Sequence, residues 1–298
     1  MAGLEETKNL IYTVLWSLRF DSPRLFFLTQ DDLLNMLFEA HNNLPLMHRY
    51  IFRIYPNISS LLLLPETDLT VGKSGYHPEI EGIMSMDGEK IIFSEVMKAR
   101  LGVEHWVKCI GIHLRVTLRM QARSYGFHDK PVTLHDIEKH WKESTLCTQM
   151  VIMTTHSSLS KIISAHQVHL AEVKAMVLRM KDHTLANIQT SVLNEVRKAR
   201  DVSRLFLIEY YLDVLAKSKS LDEMVDHFLV QYTWEPERKI FRVMQANRSC
   251  PYGYEYHGQV PLLTPIMACD KVAFNILNAA AVSNGIVTLR QDVRILHP

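Results

Sequence analysis

The sequence predicts a mainly α chain of the α+β class, with one β-hairpin and a strand-rich segment near its C-terminal end. Three observations lead to this prediction. Apolar residues recur at intervals of three, four or five over residues 173–199, which is the spacing of an amphipathic helix. Asp87 and Gly88 stand between two apolar runs, a strong signal for a hairpin. From about residue 230, β-branched and aromatic residues surround a turn at Glu235-Pro236, which predicts strands.

The helices can be placed from their caps and apolar positions. Thr29 is the predicted N-cap of an early helix, and Asp31 and Asp32 lie in its first turn, where acidic residues favour the helix dipole. Further helices are predicted over 201–218, within 218–229 and from about residue 270. The polar stretch 156–160 is interpreted as a break between helices. The predicted apolar positions of the early helix are Leu33, Leu34, Leu37 and Phe38, and the predicted core anchors are Trp16, Trp106, Trp141 and Trp234.

Charge and cysteine content limit the classes of function. Lys plus Arg number 33 and Asp plus Glu number 32, so no overall field attracts nucleic acid or an anionic membrane. The four cysteines lack CxxC spacing, which favours reduced, buried thiols over a disulfide framework. No apolar run is long enough to span a membrane, and the acidic N-terminus does not resemble a signal peptide. We therefore expect a cytoplasmic or cytoskeletal protein.

Local motifs predict no active site. The stretch "VGKSG" at 71–75 contains a Gly-Lys-Ser, but Thr67 occupies the place of the first glycine of a phosphate loop, so a flexible loop is the better interpretation. His166 and His169 are suitably spaced for zinc but lack a nearby third ligand. The chain contains neither a GxSxG turn nor a recognisable catalytic cysteine. We expect no metal and no catalytic residue.

A composite pattern near the C-terminal end is far more specific. The stretch "YTWEPERKIFRVMQANRSCPYGYEYHGQVPLL" resembles the segment of dynein heavy chains that runs from the end of the linker into the first AAA+ module. The resemblance extends upstream to "SPRLFFLTQDDLLNML", to the hairpin with the following Trp-containing segment, and to residues 144–163. The residues that carry it most strongly are Tyr232, Trp234, Val243, Gln245, Asn247, Tyr252, Gly253, Tyr254, Glu255, Tyr256, Gly258 and Pro261.

The resemblance implies a division of the chain. In the family the linker is a helical lever that arches over a ring of AAA+ modules, and its nucleotide-driven bending produces the power stroke on microtubules. Residues 1–248 would form a linker-like helical arch, and 249–298 the start of a truncated AAA+ module. The implied linker–ring junction consists of Tyr252, Gly253, Tyr254, Glu255, Tyr256 and Gly258, and the implied adenine-side segment of Leu262, Leu263, Thr264 and Pro265.

The sequence departs from the family after that segment. No GxxxxGK[ST] loop and no Walker B carboxylate follow, although phosphate and Mg²⁺ binding need both. We therefore expect no enzyme activity and no cofactor, with ATP bound only if a longer product supplies the rest of the module.

The expected function is that of a non-catalytic linker fragment in microtubule-based movement, or of an interaction module. Expected partners are dynein complex subunits or axonemal and microtubule-associated proteins, and the expected locations are the cytoskeleton and the axoneme of cilia or flagella. The alternatives are a weak nucleotide-binding regulator and a helical scaffold unrelated to motility. Removal of residues 250–298 is predicted to improve solubility, because their apolar residues would lack the rest of the module.

Overall fold

The computed structural model describes residues 2–42, 47–64, 79–98, 102–126, 130–190, 195–227, 230–245 and 248–258. Three sequence predictions lie outside these residues: the loop at 71–75, the adenine-side segment at 262–265 and the last helix from about residue 270. The predicted division between residues 248 and 249 remains a prediction.

Helices dominate the described part of the chain, and the predicted mainly α class is confirmed. A 3-10 turn at Pro23–Phe27 joins the first two helices. The helices are α1 (Ala2–Asp21), α2 (Gln30–Asn42), α3 (His48–Ile54), α4 (Val103–Ser124), α5 (Leu134–Glu143), α6 (Thr148–Ser164), α7 (Leu170–Thr190), α8 (Glu195–Lys217) and α9 (Leu221–His227). The strands are β1 (Ile58–Leu63), β2 (Glu79–Ser85), β3 (Lys90–Lys98), β4 (Gln231–Glu235), β5 (Ile240–Gln245) and β6 (Arg248–Pro251).

Two small antiparallel sheets have the strand orders β1-β2-β3 and β4-β5-β6. The predicted hairpin at Asp87-Gly88 joins β2 to β3, and Gly88 has a φ of 81°, a conformation that glycine adopts without strain. The turn after Glu235 joins β4 to β5, as predicted. Strand β1 was not predicted, because "ISSLLL" does not alternate between apolar and polar residues.

Buried side chains form two clusters that share helix α6. The first cluster lies among the end of α1, α2, α3, both sheets and α4, and it includes Met150 and Met153 of α6. The second lies among α5 to α9 and includes Val151 and Leu159 of the same helix. Because α6 contributes side chains to both clusters, it connects the two halves of the described fold.

Three helix predictions need correction. Residues 156–160 do not break a helix but lie within α6, where Thr154 donates a hydrogen bond back to the carbonyl of Met150 at 2.7 Å. Such bonds allow polar residues to be buried inside a helix. The apolar stripe over 173–199 belongs to two helices, α7 and α8. Phe38 is 76% exposed, because it lies about 140° around α2 from the buried Leu33.

The predicted tryptophan anchors divide into two groups. Trp106 and Trp141 are buried, as predicted, and Trp234 is partly buried. Trp16 is 47% exposed and is not a core anchor. It lies about 100° around α1 from Leu15, and Leu15 is the residue that is buried in the core. The cysteines at 109, 147 and 250 are free thiols, but of these only Cys147 is buried as predicted: Cys109 is partly buried and Cys250 is exposed.

Candidate functional site

The implied linker–ring junction lies on the first cluster and can be described over residues 252–258, here called the junction segment. Its side chains alternate between the protein and the solvent, as in an extended strand. Tyr254 and Tyr256 are buried and Tyr252 is half-buried, whereas Glu255 and His257 are exposed. The three tyrosines of the motif are therefore side chains that attach this segment to the helical body.

Gln149 of α6 holds the middle of the junction segment. Its Nε2 donates hydrogen bonds to the Tyr252 hydroxyl at 2.8 Å and to the Glu255 carbonyl at 2.7 Å. Its Oε1 accepts a hydrogen bond from the backbone N–H of His257 at 2.8 Å. One side chain thus contacts three residues of the segment, and it extends from the helix that connects both clusters.

The second sheet holds the start of the junction segment. The backbone N–H of Tyr252 donates to the carbonyl of Phe241 in β5 at 2.9 Å, and the backbone N–H of Phe241 donates to the Tyr254 hydroxyl at 2.8 Å. The rings of Tyr252 and Tyr254 meet edge to face, with 4.9 Å between their centroids. Tyr254 has a φ of 51°, which turns the chain away from the ladder of β6.

Glu89, at the start of β3, connects Tyr256 with α6. One carboxylate oxygen accepts hydrogen bonds from the backbone N–H and the hydroxyl of Thr148 at 2.9 and 2.8 Å, at the first residue of α6. The other accepts a hydrogen bond from the Tyr256 hydroxyl at 3.4 Å. Burial, and then the negative charge of Glu89, raise the pKa of Tyr256 well above its usual value. The phenol therefore stays neutral and donates.

An ion pair between Arg24 and Glu255 fastens the exposed side of the segment. The Arg24 guanidinium also lies over the Tyr55 ring, 4.4 Å from its centroid, and donates to the Ile54 carbonyl at 3.2 Å. A pocket of about 250 Å³ opens beside this pair, and Lys108 and Arg115 of α4 form part of its wall. The exposed ion pair contributes orientation more than stability.

Gly258 ends the described segment in a conformation that other residues rarely adopt. Its φ is 75°, and a Cβ atom there would lie 2.9 Å from the Cβ of Asn57. Only glycine fits this close approach between the junction segment and the connection from α3 to β1. Gly253 has open space around it, so the two glycines of the motif serve different purposes.

Sequence reasoning identified the junction residues but missed most of the residues that hold them. Arg24 and Gln149 lie in stretches that carry the resemblance, but neither Gln149 nor Glu89 was identified as a residue of the site. They contact residues 103 and 167 positions further along the chain, and no local spacing rule relates such positions. The alternation of tyrosines with glycine and glutamate was the only pattern that indicated which side of the segment is buried.

The arrangement offers binding and positioning groups. Burial raises the pKa values of Tyr252 and Tyr254, so neither hydroxyl acts as a base near neutral pH. His166 follows the end of α6, whereas the backbone N–H of His169 is bonded to Glu172 before α7, so the pair does not share a helical face. Among the described residues, no three metal-ligating side chains come together. Nor does any described helix have the length and apolarity required to cross a bilayer.

Comparison with known proteins agrees with the resemblance found in the sequence. The family model described as "Dynein heavy chain, N-terminal region 2" matches residues 2–125. The chain is 24% identical to Dynein axonemal heavy chain 2 of Mus musculus over 299 residues, which is 95% of this chain and 6% of that protein. It is 26% identical to Dynein axonemal heavy chain 12 of Homo sapiens over 280 residues, or 88% of this chain and 8% of that protein.

A cytoplasmic relative matches as well. Cytoplasmic dynein 2 heavy chain 1 of Mus musculus is 20% identical over 275 residues, which cover 88% of this chain and 6% of that protein. The chain therefore spans only 6% to 8% of the length of these three relatives.

Proposed function

We propose that this chain, a relative of the dynein heavy chains, is a non-catalytic lever-like module that transmits movement in microtubule-based machinery. One observation carries the proposal: the junction segment is attached through Gln149 to α6, the helix whose side chains enter both buried clusters. A displacement applied to the junction segment would then move the helical body with it.

The contacts of the segment suit such transmission. Hydrogen bonds with Gln149 of α6, Phe241 of β5 and Glu89, which precedes β3, hold the three tyrosines: Gln149 and Phe241 donate, whereas the Glu89 carboxylate accepts. A segment held at several buried points resists local opening, which is what a lever needs at the end where force enters. The Gly258 contact adds a steric stop at the last described residue.

We further propose that the chain neither hydrolyses nor holds a nucleotide by itself, because its sequence lacks a phosphate loop. Titration of the whole chain with a fluorescent ATP analogue tests this. No saturable binding is the expected result. Saturation at micromolar concentrations would favour the weak nucleotide-binding regulator instead.

The setting and partners form the last part of the proposal. The relatives' names include axonemal and cytoplasmic dynein heavy chains, and we propose that this chain works with dynein subunits at the axoneme or another microtubule structure. A tagged full chain should be expressed in ciliated cells and isolated from axonemal extracts. Enrichment of dynein subunits is expected. Its absence, with only unrelated proteins recovered, would favour the scaffold unrelated to motility.

The lever itself can be tested by hydrogen exchange on the full chain. Within residues 248–258, the backbone amides of Tyr252 and His257 are hydrogen-bonded and should exchange as slowly as those of β5, and a Gln149→Ala variant should raise the exchange rate of the His257 amide. Rapid exchange in the unaltered chain would contradict a rigid junction.

A further inference from the structure

The exposed side of α4 carries a row of positive charge. Lys108, Arg115, Arg119 and Arg123 are spaced by seven, four and four residues, so they lie along one side of the helix. Lys108, Arg115 and Arg123 are exposed, and Arg119 is partly exposed. We call these four residues the α4 ridge. It runs for about 22 Å, because 15 residue steps separate its ends.

Two arginines of the ridge are held in place by the turn between β4 and β5. Arg119 donates to the carbonyl of Arg238 at 3.2 Å, and Arg123 donates to the carbonyl of Lys239 at 3.3 Å. Both contacts use neutral acceptors. Within the described part of the chain, no residue of the ridge forms an ion pair with a carboxylate.

A further exposed cation, Lys239, lies at the turn beside the ridge. Arg24 lies at the pocket that Lys108 and Arg115 line, but its charge is paired with Glu255. The charges of the ridge also act on the buried Tyr254: burial raises the pKa of this side chain, and a backbone hydrogen bond with Phe241 and then the charges of Arg119 and Arg123 oppose that rise. The chain as a whole is almost neutral, at +1, so the ridge is a local feature.

An apolar row lies beside the ridge on the same helix. Ile112, Val116 and Met120 recur every four residues and are 44%, 47% and 49% exposed. Single exposed apolar residues are common on protein surfaces, but a row of three next to a row of cations forms an amphipathic surface.

We propose that the α4 ridge and its apolar row bind an acidic amphipathic segment of a partner protein. Carboxylates would pair with the free guanidinium donors, and apolar side chains would cover Ile112, Val116 and Met120. The apolar row argues for a polypeptide, since a nucleic-acid backbone offers only phosphates and sugars along such a row. The net charge of the chain, which is close to zero, also argues against nucleic acid as the partner. The inference goes beyond the proposed lever and does not depend on it.

The test uses the full chain and a fluorescent synthetic peptide of about 18 residues, with glutamates on one helical face and leucines beside them. Fluorescence anisotropy measures its binding to the unaltered chain and to the triple variant Lys108→Glu, Arg115→Glu and Arg123→Glu. Arg119 is kept so that one of the two arginine contacts with the turn between β4 and β5 remains in the variant. We expect the triple variant to bind at least about 10-fold more weakly.

The matched control is Lys174→Glu, Lys198→Glu and Lys219→Glu, which changes the net charge by the same amount at exposed positions on other elements. We expect a loss of less than about 2-fold there. A second variant, Ile112→Ser with Val116→Ser, should weaken binding of the amphipathic peptide but not of polyglutamate.

Several results would overturn the inference: no binding of the peptide by the unaltered chain, equal losses in the two triple variants, or binding of polyglutamate as tight as that of the amphipathic peptide. Tighter binding of a short DNA duplex or of phosphatidylserine vesicles would assign the ridge to nucleic acid or membrane instead. Circular dichroism of each variant confirms that it is folded. A negative result in these binding experiments leaves the lever proposal intact, because that proposal is tested separately by hydrogen exchange at residues 248–258.

Discussion

Gln149 donates a hydrogen bond to the hydroxyl of Tyr252 at 2.8 Å, although 103 positions separate the two residues in the sequence. The same amide group also binds the backbone at Glu255 and His257, so it replaces for the junction segment what a neighbouring strand would offer. Gln149 is itself buried and the three bonds are partly buried, so water competes with them less than it does with bonds on the surface. The side chain of Gln149 therefore makes the main contact between the junction segment and α6.

Replacing Gln149 with alanine should therefore destabilise the chain and loosen the junction segment. The substitution removes three hydrogen bonds and leaves the N–H of His257 and the Tyr252 hydroxyl without this partner. We expect the free energy of unfolding to fall by about 2–3 kcal/mol. Urea denaturation followed by circular dichroism measures it.

The matched control for that variant is Gln189→Ala on the exposed side of α7. It should change the free energy of unfolding by less than about 0.5 kcal/mol. Equal small changes in both variants would mean that the Gln149 contacts contribute little.

Gly258→Ala should be destabilising in a way that Gly253→Ala is not. At Gly258 the backbone has a φ of 75° and a Cβ would lie 2.9 Å from Asn57, whereas a Cβ at Gly253 would have no neighbouring atom within 4 Å. We expect a loss of about 1–2 kcal/mol at Gly258 and less than about 0.5 kcal/mol at Gly253. Thermal unfolding of the two variants compares them directly.

A second substitution separates the two causes at Gly258. Asn57→Gly removes the side chain that the new methyl group would contact, so it should recover part of the loss in the Gly258→Ala background. No recovery would assign the whole effect to the backbone conformation.

Local elements of the fold could be predicted from the sequence because local rules govern them. Thr29 accepts the hydrogen bond from the N–H of Asp32 that its cap position predicts, at 3.1 Å. Asp87-Gly88 forms the hairpin turn, and the strands after residue 230 pair as adjacent antiparallel neighbours. In each case the determining residues lie within a few positions of one another.

The remaining features depend on residues that are far apart in the sequence. Glu89 reaches Thr148 and Tyr256 only because the first sheet, α6 and the junction segment pack together. The polar stretch that begins at His156 continues a helix in which His156 and Ser158 have partners elsewhere in the fold, the Tyr211 hydroxyl at 3.2 Å and the Tyr125 hydroxyl at 2.6 Å. Spacing and composition contain no information about such partners, so the residues that support the site could be identified only from the structure.

The position of a truncation tests how far the folded part of the chain extends. Tyr254 and Tyr256 belong to the first buried cluster, so the informative cut lies after Gly258 and not at residue 250. A chain of residues 1–258 should unfold cooperatively and be more soluble than the full chain. A chain of residues 1–245, which lacks β6 and the junction segment, should lose several kcal/mol, roughly the cost of removing two buried aromatic side chains.

Analytical ultracentrifugation and thermal unfolding compare these two truncations with the full chain. If residues 1–258 aggregate or unfold while the full chain does not, residues 259–298 are needed by the helical body. If residues 1–245 are as stable as 1–258, the junction segment is not part of the core.

His156 should make the stability of the chain depend on pH. Burial lowers the pKa of this side chain to about 4, from a usual value of 6.5, while a hydrogen bond with the backbone of Val230 opposes the shift. Between those two pH values the unfolded chain binds a proton at this position that the folded chain does not. The free energy of unfolding should therefore fall as the pH drops from 6.5 toward 4, by about 3 kcal/mol at most.

The variant His156→Phe isolates this contribution, because phenylalanine keeps a ring beside Tyr211 but cannot bind a proton. It should be less stable than the unaltered chain at pH 7, since the hydrogen bond to Tyr211 is lost, and its stability should change less between pH 6.5 and 4. Urea denaturation at a series of pH values gives both quantities. The exposed His135→Gln variant should retain the full pH dependence of stability. If stability falls with pH as steeply in His156→Phe as in that control, other groups, such as the partly buried His140, cause the loss of stability in acid.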